Sequence, residues 1–78
     1  MSFTLVDNET KLVEAGTYAL DVDGACTISW DLVGEGVFHD IADATFTGAS
    51  QVQISLPPCT IKNTSAGFNF ATFALISK

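Results

Sequence analysis

Apolar and polar side chains alternate with a period of two along most of this chain, and no segment of ten or more residues carries helical spacing. That period belongs to extended backbone, whose successive side chains point to opposite faces of a sheet. Thr17 to Val22 sets Tyr18, Leu20 and Val22 on one face. Ala25 to Leu32 sets Cys26, Ile28, Trp30 and Leu32 against Thr27, Ser29 and Asp31. Gln51 to Leu56 turns Val52, Ile54 and Leu56 inward and Gln51, Gln53 and Ser55 outward. Apolar in and polar out is the pattern of a half-buried antiparallel strand.

Turn residues punctuate these runs. Asp23-Gly24 suits the positive φ angles of a type I′ turn and predicts a tight hairpin between the first two segments. Asp7-Asn8-Glu9-Thr10, between Phe3–Val6 and Leu12–Val13, predicts a second. Val33-Gly34-Glu35-Gly36 and Gly48-Ala49-Ser50 read as turns around a short strand, Val37 to Ile41, and a brief one, Thr45 to Thr47. Pro57-Pro58 ends the following strand, because proline cannot donate to a ladder. Cys59 to Lys62 reads as a short strand, residues 63–67 as a loop, and Phe68 to Ser77 as the last strand. Strands at this spacing predict one all-β domain over residues 1–78. The expected form is a small antiparallel β-sandwich of about six to eight short strands, jelly-roll-like or a partly open barrel.

The last strand breaks the alternation. It places Phe68, Phe70, Ala74 and Ile76 on one face and Ala71, Phe73 and Leu75 on the other. A strand that is apolar on both faces needs cover on both. In a domain this small, one cover is the core and the other is a neighbouring loop or a second subunit, the subunit being the expectation. Phe68, Phe70, Phe73 and Leu75 are the predicted contact residues.

Charge narrows the partners. Nine carboxylates face three lysines and no arginine, for a net charge of −6. Such a surface is repelled by phosphate backbones and by anionic lipid, so neither nucleic acid nor a membrane is expected as partner. The N-terminal residues lack the basic-then-apolar order of a secretory signal, which points to assembly in a cytoplasm. Without such a signal, Cys26 and Cys59 are expected as buried free thiols rather than a disulfide.

Groups for chemistry are sparse. His39, the only histidine, neighbours Asp40, but adjacent strand residues diverge. Asp21, Asp23 and Asp31 hint only faintly at a Ca²⁺ site, which needs six to eight oxygens. Asn63-Thr64-Ser65 matches a glycosylation sequon, yet without a secretory signal it reads as a polar loop. Tyr18 and Trp30 lie on inward registers and read as core. No catalytic residue, cofactor or metal is predicted, and the chain is expected to act by binding. A small carbohydrate- or ligand-binding module is the alternative.

The order of features resembles the small virion structural proteins encoded among the head genes of tailed bacteriophages. The matching stretches are Gly16 to Gly24, Thr27 to Trp30, Val37 to Ile41, Ala44 to Gly48, Val52 to Pro57 and Thr72 to Ile76. Where relatives carry an arginine in the strand after Leu-Pro, this chain has Pro58, Cys59 and Lys62, so no role tied to that arginine carries over. The resemblance implies a β-sandwich that decorates or cements a capsid, or forms part of a head fibre. It implies a homotrimer on the virion exterior, with the major capsid protein as partner.

Overall fold

The alternating segments become eight strands and no helix in the computed structural model, which describes residues 2–65 and 67–78. These are β1 (Ser2–Leu5), β2 (Thr10–Val13), β3 (Gly16–Val22), β4 (Cys26–Asp31), β5 (His39–Phe46), β6 (Ser50–Leu56), β7 (Cys59–Ser65) and β8 (Ala71–Ser77). They form two antiparallel sheets, β1-β8-β3-β6 and β2-β7-β4-β5, each with two free edges. Each strand of the first half pairs with its mirror in the second: β1 with β8, β2 with β7, β3 with β6 and β4 with β5. One long antiparallel ribbon, folded at the β4–β5 connection and rolled until β3 meets β8 and β4 meets β7, gives this order. The architecture is an eight-stranded jelly roll.

Both predicted hairpins are overturned by this roll. β3 and β4 lie in different sheets, as do β1 and β2. A type I′ turn needs positive φ at both central residues, and neither Asp23 nor Gly24 has it. Instead, a Cβ on Gly24 would stand 2.5 Å from the Asn69 side-chain amide. A side chain there would displace the Asn69 amide from Ala25 O, and the connection crosses from sheet to sheet.

The expected inward rows build the core. Tyr18, Leu20 and Val22 from β3 are buried, with Cys26 and Ile28 from β4, Ile61 from β7 and Phe73 from β8. Phe73 anchors an aromatic cluster, with Phe3 stacked on it at 5.1 Å and Tyr18 edge-on at 6.4 Å. Offset or edge-on aromatic pairs add about 0.5–1.5 kcal/mol beyond area burial. Burial departs from the expected rows at several places: Trp30 and Ile54 are only half-buried, Leu32 and Val52 are exposed, and Ser29 and Asp31, expected outward, are buried. The two short segments expected at Val37–Ile41 and Thr45–Thr47 are one strand, β5, which omits Val37, Phe38 and Thr47 and in which Ile41–Ala44 bulges opposite Ile28 so that Ile41 and Ala44 are both buried. Of the predicted 63–67 loop, Asn63–Ser65 extend β7, and Ala66 lies outside the described residues.

Both cysteines are free and buried. Cys26 pairs with Ser65 across the sheet, and Cys59 lies at the far end of β7. At ~3.3 Å per strand residue they stand about 20 Å apart, beyond any disulfide. Burial, aided by the Asp23 carboxylate, pushes the Cys26 thiol up, and burial with Asp31 does the same for Cys59. Neither is a ready nucleophile.

Candidate interaction surface

The strand registers sort the connections by end. β1–β2, β3–β4, β5–β6 and β7–β8 share one end of the roll, because Leu5 and Val22 both face Ala71, Val22 faces Ser50, and Cys26 faces both Ser65 and Phe46. The β4–β5 turn and the Pro57-Pro58 crossover occupy the opposite end.

At the first end a polar frame holds the segment between β7 and β8. Ser65 Oγ accepts the N–H groups of Gly67 (3.3 Å) and Asn69 (2.6 Å), while the Ser65 N–H donates to Asp7 Oδ1 at 2.7 Å. Asn63, fully buried, donates from Nδ2 to the carbonyls of Leu5 (2.9 Å) and Asn69 (3.0 Å). Asn69 Nδ2 reaches Ala25 O at 2.9 Å, and the Phe70 N–H donates to Asp23 Oδ1 at 2.7 Å. Three connections are thereby tied together, in place of the turn hydrogen bonds that an isolated loop would make. Among the described residues Asn63 Oδ1 has no partner, and burial closes this sequon to modification in the folded chain.

What the frame displays is apolar. Phe68 is 79% exposed and Phe70 48%, with the exposed Val6 at the same end. Phe68 has φ +57°. Left-handed backbone costs an L-residue about 1–2 kcal/mol, and a bulky residue rarely adopts it. Glycine there would remove the cost, so the strain is carried together with an exposed aromatic ring. Strained backbone of this kind clusters at ligand clamps and contact sites.

The four residues predicted for subunit contact do not share a surface. Phe68 and Phe70 precede β8 and share this end. Leu75 faces Tyr18 farther along the strand and is half-buried in the gap beside β1 and β2. Phe73 is corrected outright: fully enclosed, it has no surface to offer a partner. Sequence reasoning missed Val6, because its place at this end depends on the roll.

The residues weighed for chemistry lie apart. Asp21 accepts Gln51 Nε2 at 3.4 Å, Asp23 serves the Phe70 N–H, and Asp31 lies at the opposite end. Asp40 Oδ1 accepts the Ser29 hydroxyl at 2.9 Å, and exposed His39 faces Trp30. Among the described residues no three His, Cys, Asp or Glu gather as a metal site. Tyr18 donates to Glu14 O at 2.7 Å, and burial, then Glu14 and Cys59, raise its pKa.

Asp31 was expected to point outward. Its Oδ1 accepts the N–H groups of Val33 (3.3 Å), Gly34 (2.9 Å) and Glu35 (3.2 Å), and Oδ2 that of Gly36 (2.7 Å). The Gly36 N–H foremost, then those of Glu35, Gly34 and Val33, hold this carboxyl below its ordinary value against an opposing effect of burial. The role is to close the turn.

No family model matches this chain, and neither a curated protein nor a solved structure matches it.

Proposed function

We propose that this chain is a non-enzymatic structural protein that decorates or cements a bacteriophage capsid, binding between shell subunits on the virion exterior as a homotrimer. The observation that carries the reading is Phe68, an aromatic side chain exposed on left-handed backbone and held by a buried polar frame. A rigidly presented aromatic makes contact at little further cost in ordering, which is how preorganised contacts gain affinity. Three further features support it: the residue pattern from Gly16 to Ile76, a jelly-roll architecture of the kind used in viral capsids, and a net charge that keeps the protein off packaged DNA. Fold alone does not determine function, so the weight rests on Phe68. A domain of this size also gains stability by mass action when it assembles.

Light scattering and co-sedimentation test the proposal. The expected results are a mass three times 8.2 kDa and pelleting with emptied heads of the phage that encodes this chain. Phe68→Ser should abolish both while leaving the far-UV spectrum intact. A monomer at micromolar concentration that stays in the supernatant with such heads would refute the reading.

A further inference from the structure

Two open sheets leave four strand edges, and three of them are blunted. β1 and β2 are four residues long, and β2 carries Lys11. β5 is kinked by its bulge against β4. Short strands, lysines and bulges are the devices by which proteins discourage strand pairing at an edge. β6 has none of them. Its seven residues, Ser50–Leu56, contain no charge and no proline, and they hold an unbroken register with β3 from Gly16↔Leu56 to Val22↔Ser50. Among the described residues its other side has no neighbouring strand.

Beside this edge the two sheets part into a cleft of about 500 Å³, lined by Trp30, Ile41, Val52 and Ile54, with Asp43 also in its wall. Val52 is 38% exposed. A strand laid along β6 would use its backbone for the ladder and every second side chain for this cleft.

We propose that the free edge of β6 docks an extended segment of another protein, one that alternates apolar with polar residues and carries basic side chains, as a fifth strand of the β1-β8-β3-β6 sheet. Charge decides against a second copy of this chain. Asp43 lines the cleft and Asp21 stands at Gln51. All three lysines are engaged elsewhere: Lys11 lies 5.0 Å from the Phe3 ring, Lys62 5.5 Å from Phe38, and Lys78 3.1 Å from Glu14. A second copy docked here would set the same Asp43 and Asp21 against each other with no lysine free to offset them, whereas a basic segment is attracted. The inference goes beyond the shell reading and is tested without a shell.

The probe is a blocked seven-residue peptide with lysine at each end and valine alternating with threonine between. Trp30, the only tryptophan, reports filling of the cleft, and amide hydrogen exchange reports pairing of β6. The expected result is a blue-shifted emission and at least tenfold slower exchange of the outward-facing β6 amides, weakened by salt. Val52→Lys, at an exposed position that leaves the fold intact, should weaken binding at least tenfold. The proposal fails if wild-type emission and β6 exchange do not respond to millimolar peptide, or if Val52→Lys binds as wild type does. It fails equally if a peptide with glutamate ends binds as well, or if β6 amides are already protected in a dimer without peptide.

Discussion

Both ends of the roll hold a loop with left-handed backbone whose N–H groups donate to polar side chains, but they place different residues there. In the β4–β5 turn the positive φ angles belong to Gly34 (+76°) and Gly36 (+83°), and the Asp31 carboxylate collects four amide N–H groups. At the opposite end they belong to Asn8 (+65°) and Phe68 (+57°). Asparagine tolerates that region; phenylalanine does not. Each end exposes apolar side chains, Leu32, Val33 and Val37 at one and Phe68, Phe70 and Val6 at the other. Only the second exposes one on strained backbone. The difference teaches that the turn is built to be stable, whereas the Phe68 segment gives up stability to present a ring.

The comparison can be broken most forcefully at Asn63. Asn63→Ala removes a buried hydrogen bond to the Leu5 carbonyl and a part-buried one to that of Asn69, at about 1–3 kcal/mol per buried group. Chemical denaturation should show a loss of about 2–4 kcal/mol, and exchange at Asn69 and Phe70 should quicken while the Val33–Gly36 turn keeps its protection. A uniform loosening of both ends would contradict independent frames.

The sharpest test is a pair of substitutions with opposite expected signs. Gly34→Ala meets nothing within 4 Å, so its cost is conformational alone, about 1–2 kcal/mol. Phe68→Gly relieves the same strain and should leave the chain stable or raise its stability by up to about 1 kcal/mol after the added entropy of glycine in the unfolded state. It should also lose self-association. A Phe68→Gly protein that is markedly less stable would place Phe68 among the packing residues.

A smaller effect is expected from acid. The folded-state pKa of Asp31 is held below its ordinary 3.8. Its contribution is therefore complete above that value and is lost as pH falls through the folded pKa. Asp31→Asn should be less stable than wild type at neutral pH, and the gap should close in strong acid. A gap constant with pH would mean that the turn does not depend on the carboxylate charge.

The smallest signal comes from the thiols. Cys26 sits toward the Phe68 end and Cys59 toward the other, and both are slow to react while buried. With Cys59→Ser as background, Asn63→Ala should speed labelling of Cys26. With Cys26→Ser as background, it should leave Cys59 unchanged.

Much of the fold was legible residue by residue. Tyr18, Leu20 and Val22 face inward as their alternation says, Leu56 closes its strand before Pro57-Pro58, and both cysteines are buried and free. The failures share one cause. Asp23-Gly24 carries hairpin chemistry, yet Asp23 bonds Phe70, across 47 residues. Asp31 lies on a polar register, yet the turn beyond β4 folds back over its carboxylate and buries it. Phe68 and Phe73 are both phenylalanines near one strand, and nothing local tells the strained and exposed one from the enclosed one.

Sequence alone therefore determined which segments extend, which face of most of them is dry, and that the surface is acidic. These are properties of neighbouring residues, and a two-residue period records them. Which strands pair, which edge stays open, and which aromatic ring is presented were decided by the roll of the ribbon. Those outcomes depend on contacts between residues tens of positions apart, which no local pattern encodes.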